Sequence, residues 1–233
     1  MAISSPVPRR HTVAALLMLT FATGLIDAIS VLVLGHVFVA NMTGNAIFLG
    51  FLFVPNSTIS LSGAVVAVAG FLVGAIVGGR LVRRFGDRAR TWLTVALTVE
   101  IAMLAGLAAL AGAGVLRYHD QTTLILVAGL AAAFGLQNCT ARQFGISELY
   151  TTVLTSTIVG IGLDSRLAGG TGAREKLRYS VVAAMCGGAV VGATLSRWMV
   201  APVIALTAAV VAVSMLLFRH GPTAQEPPTA DVS

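Results

Sequence analysis

Six long apolar runs recur along the chain, at residues 12–34, 60–80, 91–115, 122–141, 179–198 and 201–218. Each can cross the ~30 Å hydrocarbon layer of a bilayer as a helix rising ~1.5 Å per residue. The runs are continuous, not alternating, so they predict helices rather than barrel strands. In lipid only those two structures pair every backbone polar group internally. The predicted fold class is therefore all-α, a polytopic helical membrane protein with the lipid bilayer as its first partner. Composition excludes an ordinary soluble domain. Of 233 residues 57% are hydrophobic and only 10% charged, where soluble proteins carry about 25%.

Two shorter segments, 37–54 and 149–163, are rich in Thr, Asn, Ser and Gly. The second is too short to cross comfortably. The cations decide how both insert. With six crossings, two half-inserted segments and a cytoplasmic amino terminus, 13 Lys and Arg fall inside and only Arg117 and Arg197 outside. With eight crossings and the amino terminus outside, the division is 7 to 8. The positive-inside rule favours the first arrangement, with both termini cytoplasmic in a bacterial plasma membrane. The net charge of +6 belongs to those loops, so nucleic acid is not an expected partner. Arg9-Arg10-His11 precede the first run without a small-x-small cleavage site, which predicts an uncleaved first helix.

The halves resemble each other. Gly24-Leu25-Ile26-Asp27 is answered by Gly135-Leu136-Gln137-Asn138, and Gly35 by Gly145. Ala40-Asn41-Met42-Thr43-Gly44-Asn45 is answered by Thr152-Val153-Leu154-Thr155-Ser156-Thr157, and Gly74 to Arg80 resembles Gly192 to Arg197. Three crossings per half would make the second half run opposite to the first, an inverted repeat of the kind transporters use. The expected divisions are a tail over 1–11, repeats over 12–115 and 116–219, and a disordered tail over 220–233 containing Pro222, Pro227 and Pro228.

Asp27 lies inside the first crossing, where a charge costs at least ~2.5 kcal/mol. It must face protein, water or a partner, or take up a proton; the alternatives are a proton or cation site and a structural carboxyl. Glu100, mid-way along the 91–115 run, raises the same question. Asn41, Thr43, Gly44 and Asn45 offer caps and a turn for a helix beginning within the membrane, whose positive end suits an anion or polar solute. Gln137, Asn138, Thr151, Thr152, Thr155 and Thr157 are the second-half counterpart, with backbone-bonded hydroxyls as the plainer alternative. Arg142 is expected to mark the cytoplasmic interface or to pair with an acid, and His36 is expected at the outer interface. Gly70, Gly74 and Gly78, then Gly188 and Gly192, recur every fourth residue, which lets helices approach closely within one subunit or across a homo-oligomer face.

Cys139 and Cys186 have no metal or redox spacing. Gly169-Gly170-Thr171-Gly172, in the basic loop 164–178, lacks the context and ending of a phosphate loop. There is no nucleophile–base–orienter set and no H-E-x-x-H. No catalytic residue, metal or cofactor is expected, and the chain is not expected to be an enzyme.

The Gly24–Ala28 segment, Gly35–Asn45, Gly135–Asn138 and Thr151–Thr155 together resemble the YoaK family of small multi-spanning membrane proteins, a domain of unknown function. The likeness runs from about residue 12 to 218 and departs at Cys139, where a small residue such as Ala is expected. It implies an inner-membrane protein and no particular activity. Function is therefore expected from the polar segments: a small-solute transporter or channel with a midplane polar site, or alternatively a non-transporting scaffold or regulator. Convergence of Thr43, Asn45, Asn138 and Thr155 on a cavity favours the first. A dry, fully bonded interior favours the second.

Overall fold

The computed structural model describes residues 5, 7–53, 60–85, 88–117, 121–144, 154–172 and 174–220. Eight α-helices fall among them: α1 Arg9–Leu32, α2 Met42–Leu49, α3 Leu61–Phe85, α4 Ala89–Gly112, α5 Thr123–Arg142, α6 Leu154–Leu163, α7 Glu175–Ser196 and α8 Val200–His220. Six of these, all but α2 and α6, are long and apolar enough to cross a membrane. The 8 residues of α2 and the 10 of α6 rise only about 12–15 Å. The carboxyl-terminal tail from 221 lies outside the described residues.

Side-chain and backbone contacts fix the direction of each span. Gly70 lies against Ala128 and Gly74 against Ala132, so α3 and α5 run parallel. Gly188 lies against Phe21 and Gly192 against Leu25, so α1 and α7 also run parallel. Leu107 covers Gly129 while Trp92 meets Phe144, which makes α4 antiparallel to α5. Gly112 meets Ala201 while Thr98 meets Met215, which makes α4 antiparallel to α8. The three residues 197–199 reverse the chain between α7 and α8. Hence α1, α4 and α7 point one way and α3, α5 and α8 the other. The spans alternate, so α1 ends and α3 begins on one side of the bundle, and α5 ends and α7 begins on the opposite side.

The two innermost spans are α1 and α5, with 67% of an 18-residue apolar stretch of each buried, against 17% for α7. Around them α1 packs on α7 and α8, α5 on α3 and α4, and α4 on α8. Lipid tails are as apolar as leucine, so burial alone does not hold such helices together; close van der Waals contact does. Glycine provides it. A Cβ at Gly24 would land on the Met185 carbonyl, and one at Gly135 on the Phe71 carbonyl. Val65, Leu72, Val73, Ile76 and Val77 on α3 and Val190 on α7 are exposed and form the lipid-facing surface. Trp198, at the α7–α8 turn, is 82% exposed, as suits a residue at the bilayer boundary.

Candidate functional site

Leaving α1, the chain turns through Gly35 and His36, whose φ values of 98° and 59° lie in the left-handed region that Gly adopts freely and His only at a strain. The Gly35 carbonyl accepts from Ser60 N at 3.4 Å, next to the start of α3. Residues 37–41 then run back alongside α1. The amides of Val39 and Ala40 donate to Asp27 Oδ1 at 3.0 and 2.9 Å, and Asn41 Nδ2 donates to Oδ2. Asp27 is buried, and these donors offset its desolvation as ordered water would. The acid thus anchors the segment that leads into α2.

Asn45 closes the same unit. Its Oδ1 accepts from Phe38 N at 2.9 Å and its Nδ2 donates to Phe38 O at 2.5 Å. The Phe38 ring covers Gly44, where a Cβ would meet it at 2.5 Å, and stacks on Phe48 at 6.0 Å. Two expectations are corrected here. Asn41 makes no side-chain cap on α2, because its amide is drawn to the carboxylate. Gly44 does not form the turn; it is helical, and the ring above it demands a residue without a Cβ. Gly44→Val should cost about 1–3 kcal/mol by overpacking, seen as a lower unfolding temperature in detergent.

The depth of this unit follows from the glycine contacts. Gly24 packs on Met185 and Ala189, mid-way along α7, and Gly135 on Phe71 and Ala75, mid-way along α3. Asp27 and Asn138, three residues further along their helices, therefore lie within a turn of the middle of the bundle. The α2 helix starts there and packs against α3.

A cavity of about 600 Å³ opens between α2, α3 and α5. Thr43, Asn138 and Arg142 give it polar walls, and Phe71, Ala75 and Gly135 apolar ones. Asn138 Nδ2 donates to Phe134 O at 3.1 Å within its own helix. Of the other cavities among the described residues, a smaller one of about 240 Å³ lies beside Gly24, Asp27, Ala28, Met185 and Ala189, under Phe38 and Asn41, and these two concern the predicted polar residues Asp27 and Asn138.

The predicted residues thus separate. Thr43 and Asn138 meet at the larger cavity. Asn45 is turned onto Phe38. Gln137 faces α1, donating to Leu19 O at 3.4 Å and Thr23 Oγ1 at 3.2 Å. Thr155 is exposed on α6 and Thr157 buried. Glu100 is fully buried in α4 and lines neither cavity. Thr151, Thr152 and Gly145 lie outside the described residues. The basic loop 164–178 is tied at both ends: Arg178 donates to Gly160 O at 2.5 Å and pairs with Asp164. The cavity roles of Cys139 and Arg142 were not anticipated, though the signal exists. Gly135, Asn138, Cys139 and Arg142 fall at i, i+3, i+4 and i+7 on one helical face. Cys139 is half-buried and free. It should react with a small water-soluble thiol reagent in a C186S background, and slow or absent labelling would mean a dry cavity.

The family described as "Protein of unknown function (DUF1275)" matches residues 15–217. The UPF0700 transmembrane protein YoaK of Bacillus subtilis (strain 168) is 32% identical over 156 residues, which span 65% of this chain and 65% of that protein. No solved structure matches. The family match reaches from the first turns of α1 to the last turn of α8 and takes in both cavities. The chain belongs to the DUF1275 family and is a multi-pass helical membrane protein.

Proposed function

We propose that the protein is a small-solute transporter or channel of the bacterial plasma membrane, built as an inverted repeat, with the Thr43–Asn138–Arg142 cavity as its solute site. The observation that carries this is the equivalence of the two cavities. Moving 111 residues along takes Gly24, Asp27 and Ala28 to Gly135, Asn138 and Cys139. Moving 114 residues along takes Phe71 and Ala75 to Met185 and Ala189. Those two sets line the two cavities.

The same shifts recur in the packing. Gly188 meets Phe21 as Gly74 meets Ala132. A shift of 111 carries the buried Trp92, Leu93, Ala96, Leu97 and Glu100 onto Val203, Ile204, Thr207, Ala208 and Val211, which are also buried. Gly188, not Gly192, stands in the place of Gly74; the close backbone contact sets the register, and the arginines that follow do not. Equivalent spans run in opposite directions, and each half contributes one short helix. The 13 cations gathered at the side where α1 begins support cytoplasmic termini.

A second reading, a scaffold without transport, draws on Asp27, Asn41 and Asn45, all engaged in holding the α2 segment. Liposome swelling separates the two. Reconstituted protein should admit small polar solutes, and bulky thiol modification of Cys139 should remove most of that flux. Permeability equal to that of protein-free liposomes for every solute tried, or flux indifferent to the modification, leaves the scaffold.

A further inference from the structure

We propose that Glu100 is a proton-binding site, its carboxyl carrying a proton that it shares with the side-chain carbonyl of Gln137. The site lies in the core between α1, α4, α5 and α8, apart from both cavities, and stands whether or not the cavities carry solute.

The position follows from contacts on either side of Glu100. Leu107 meets Gly129 and Trp92 meets Phe144. Seven residues back from Leu107 and seven on from Gly129, or eight on from Trp92 and eight back from Phe144, the antiparallel pair brings Glu100 level with Leu136, beside Gln137. On α8, the contact of Thr98 with Met215 brings Glu100 level with Val213, beside buried Ser214.

Every donor at this level is already committed. Thr20 and Thr23 give their hydroxyl protons to Leu16 O and Leu19 O, each at 3.0 Å, and Ser214 gives its proton to Ala15 O at 3.1 Å. The Gln137 amide donates to Leu19 O and Thr23 Oγ1. At this level the polar atoms left over are acceptors: Glu100 Oε1 and Oε2, and Gln137 Oε1, all buried without a hydrogen-bond partner; the unpartnered donor on the same helix, Trp92 Nε1, stands eight residues away, about 12 Å along α4. One proton changes that balance. It turns Glu100 into a donor, gives the Gln137 carbonyl its partner, and removes an unpaired charge from the middle of a span, where such a charge is costly.

Other charged or titratable groups on the surrounding helices stand elsewhere. Arg9, Arg10 and His11 on α1, Arg219 and His220 on α8, and Arg80, Arg83 and Arg84 on α3 lie toward the side where α1 begins. Arg142 and Cys139 on α5 line the larger cavity, and Asp27 is engaged by α2's lead-in. Between Glu100 and that side, Trp92, Phe144 and Phe218 pack with ring centroids 6.1 and 5.3 Å apart and cover the core.

Infrared spectra of the full chain in phosphatidylethanolamine–phosphatidylglycerol vesicles test this. The expected result at neutral pH in potassium buffer is a protonated-carboxyl carbonyl band that shifts in D₂O. The band should be lost in E100Q and move to higher frequency in Q137L, which takes away the acceptor. E100Q should keep the unfolding temperature of the wild type, since its amide can donate to the Gln137 carbonyl. Should E100Q fail to fold, the Q137L shift decides alone. Absence of the band, its survival in E100Q, or its indifference to Q137L overturns the proposal. So does conversion of the band to the ionised form by sodium at constant pH, which would make a metal cation the occupant.

Discussion

Asp27→Ala is expected to destabilise the fold by about 3–5 kcal/mol, the scale of a buried ionic hydrogen-bonded group whose partners are left behind. The substitution would strand the Val39 and Ala40 amides and the Asn41 side chain. An unpaired buried donor costs about 1–3 kcal/mol. Because these bonds hold residues 39–41 near the middle of the bundle, the loss should also free α2. Asp27→Asn should be intermediate: it keeps an acceptor for the two main-chain amides but sets one NH₂ group against another. Exchanging both residues, Asp27→Asn with Asn41→Asp, should recover part of the loss, and the recovery measures the coupling. Thermal unfolding in detergent of the wild type, these three variants and Asn41→Asp alone gives every value the coupling requires. An alanine variant as stable as the wild type would show that the acid does not hold the segment.

Gly24→Leu should be comparably severe, and Gly135→Leu equal to it. A Cβ at Gly24 would fall on Met185 O and 2.9 Å from Ala189 N; at Gly135 it would fall on Phe71 O and 3.0 Å from Ala75 N. These are backbone atoms of a facing helix and cannot rotate away, so α1 must part from α7, or α5 from α3. The cost belongs at or above the upper end of the usual 1–3 kcal/mol for overpacking. Gly106→Leu is the control, since nothing lies within 4 Å of its Cβ position. Equal losses at Gly24 and Gly135 with none at Gly106 would support the internal repeat. A large loss at one site and none at the other would count against it.

The six spans were legible because the bilayer enforces them: a long, continuous apolar run satisfies its backbone there as a helix, and the arginines mark which ends stay in water. The glycine contacts were legible as a period of four but not in their pairing. Gly192 and its following arginine suggest one register, whereas in the structure it is Gly188 that meets Phe21 much as Gly74 meets Ala132. At the site, sequence grouped Asn41, Thr43 and Asn45 because they cluster along the chain, and marked Asp27 separately as an acid at depth. It could not say which of them look inward. Asn45 and Asn41 are both amides in one short stretch, yet one locks onto Phe38 and the other onto Asp27. That choice depends on the return path of residues 37–41, set by the turn at Gly35 and His36. Glu100 was visible as an acid at depth. Its lack of donors is a property of four helices at once and has no local signature.

Spin-label accessibility at Thr43 tests most directly whether a polar segment reaches the middle of the membrane and looks onto water. Thr43 would be compared with Val73, a lipid-facing residue mid-way along α3. A label at Val73 should collide with oxygen and not with a water-soluble nickel chelate. At Thr43 the label should lie at similar depth in the bilayer and still collide with the nickel chelate. A label at Thr43 that meets oxygen alone, or that sits at headgroup depth, would contradict the account.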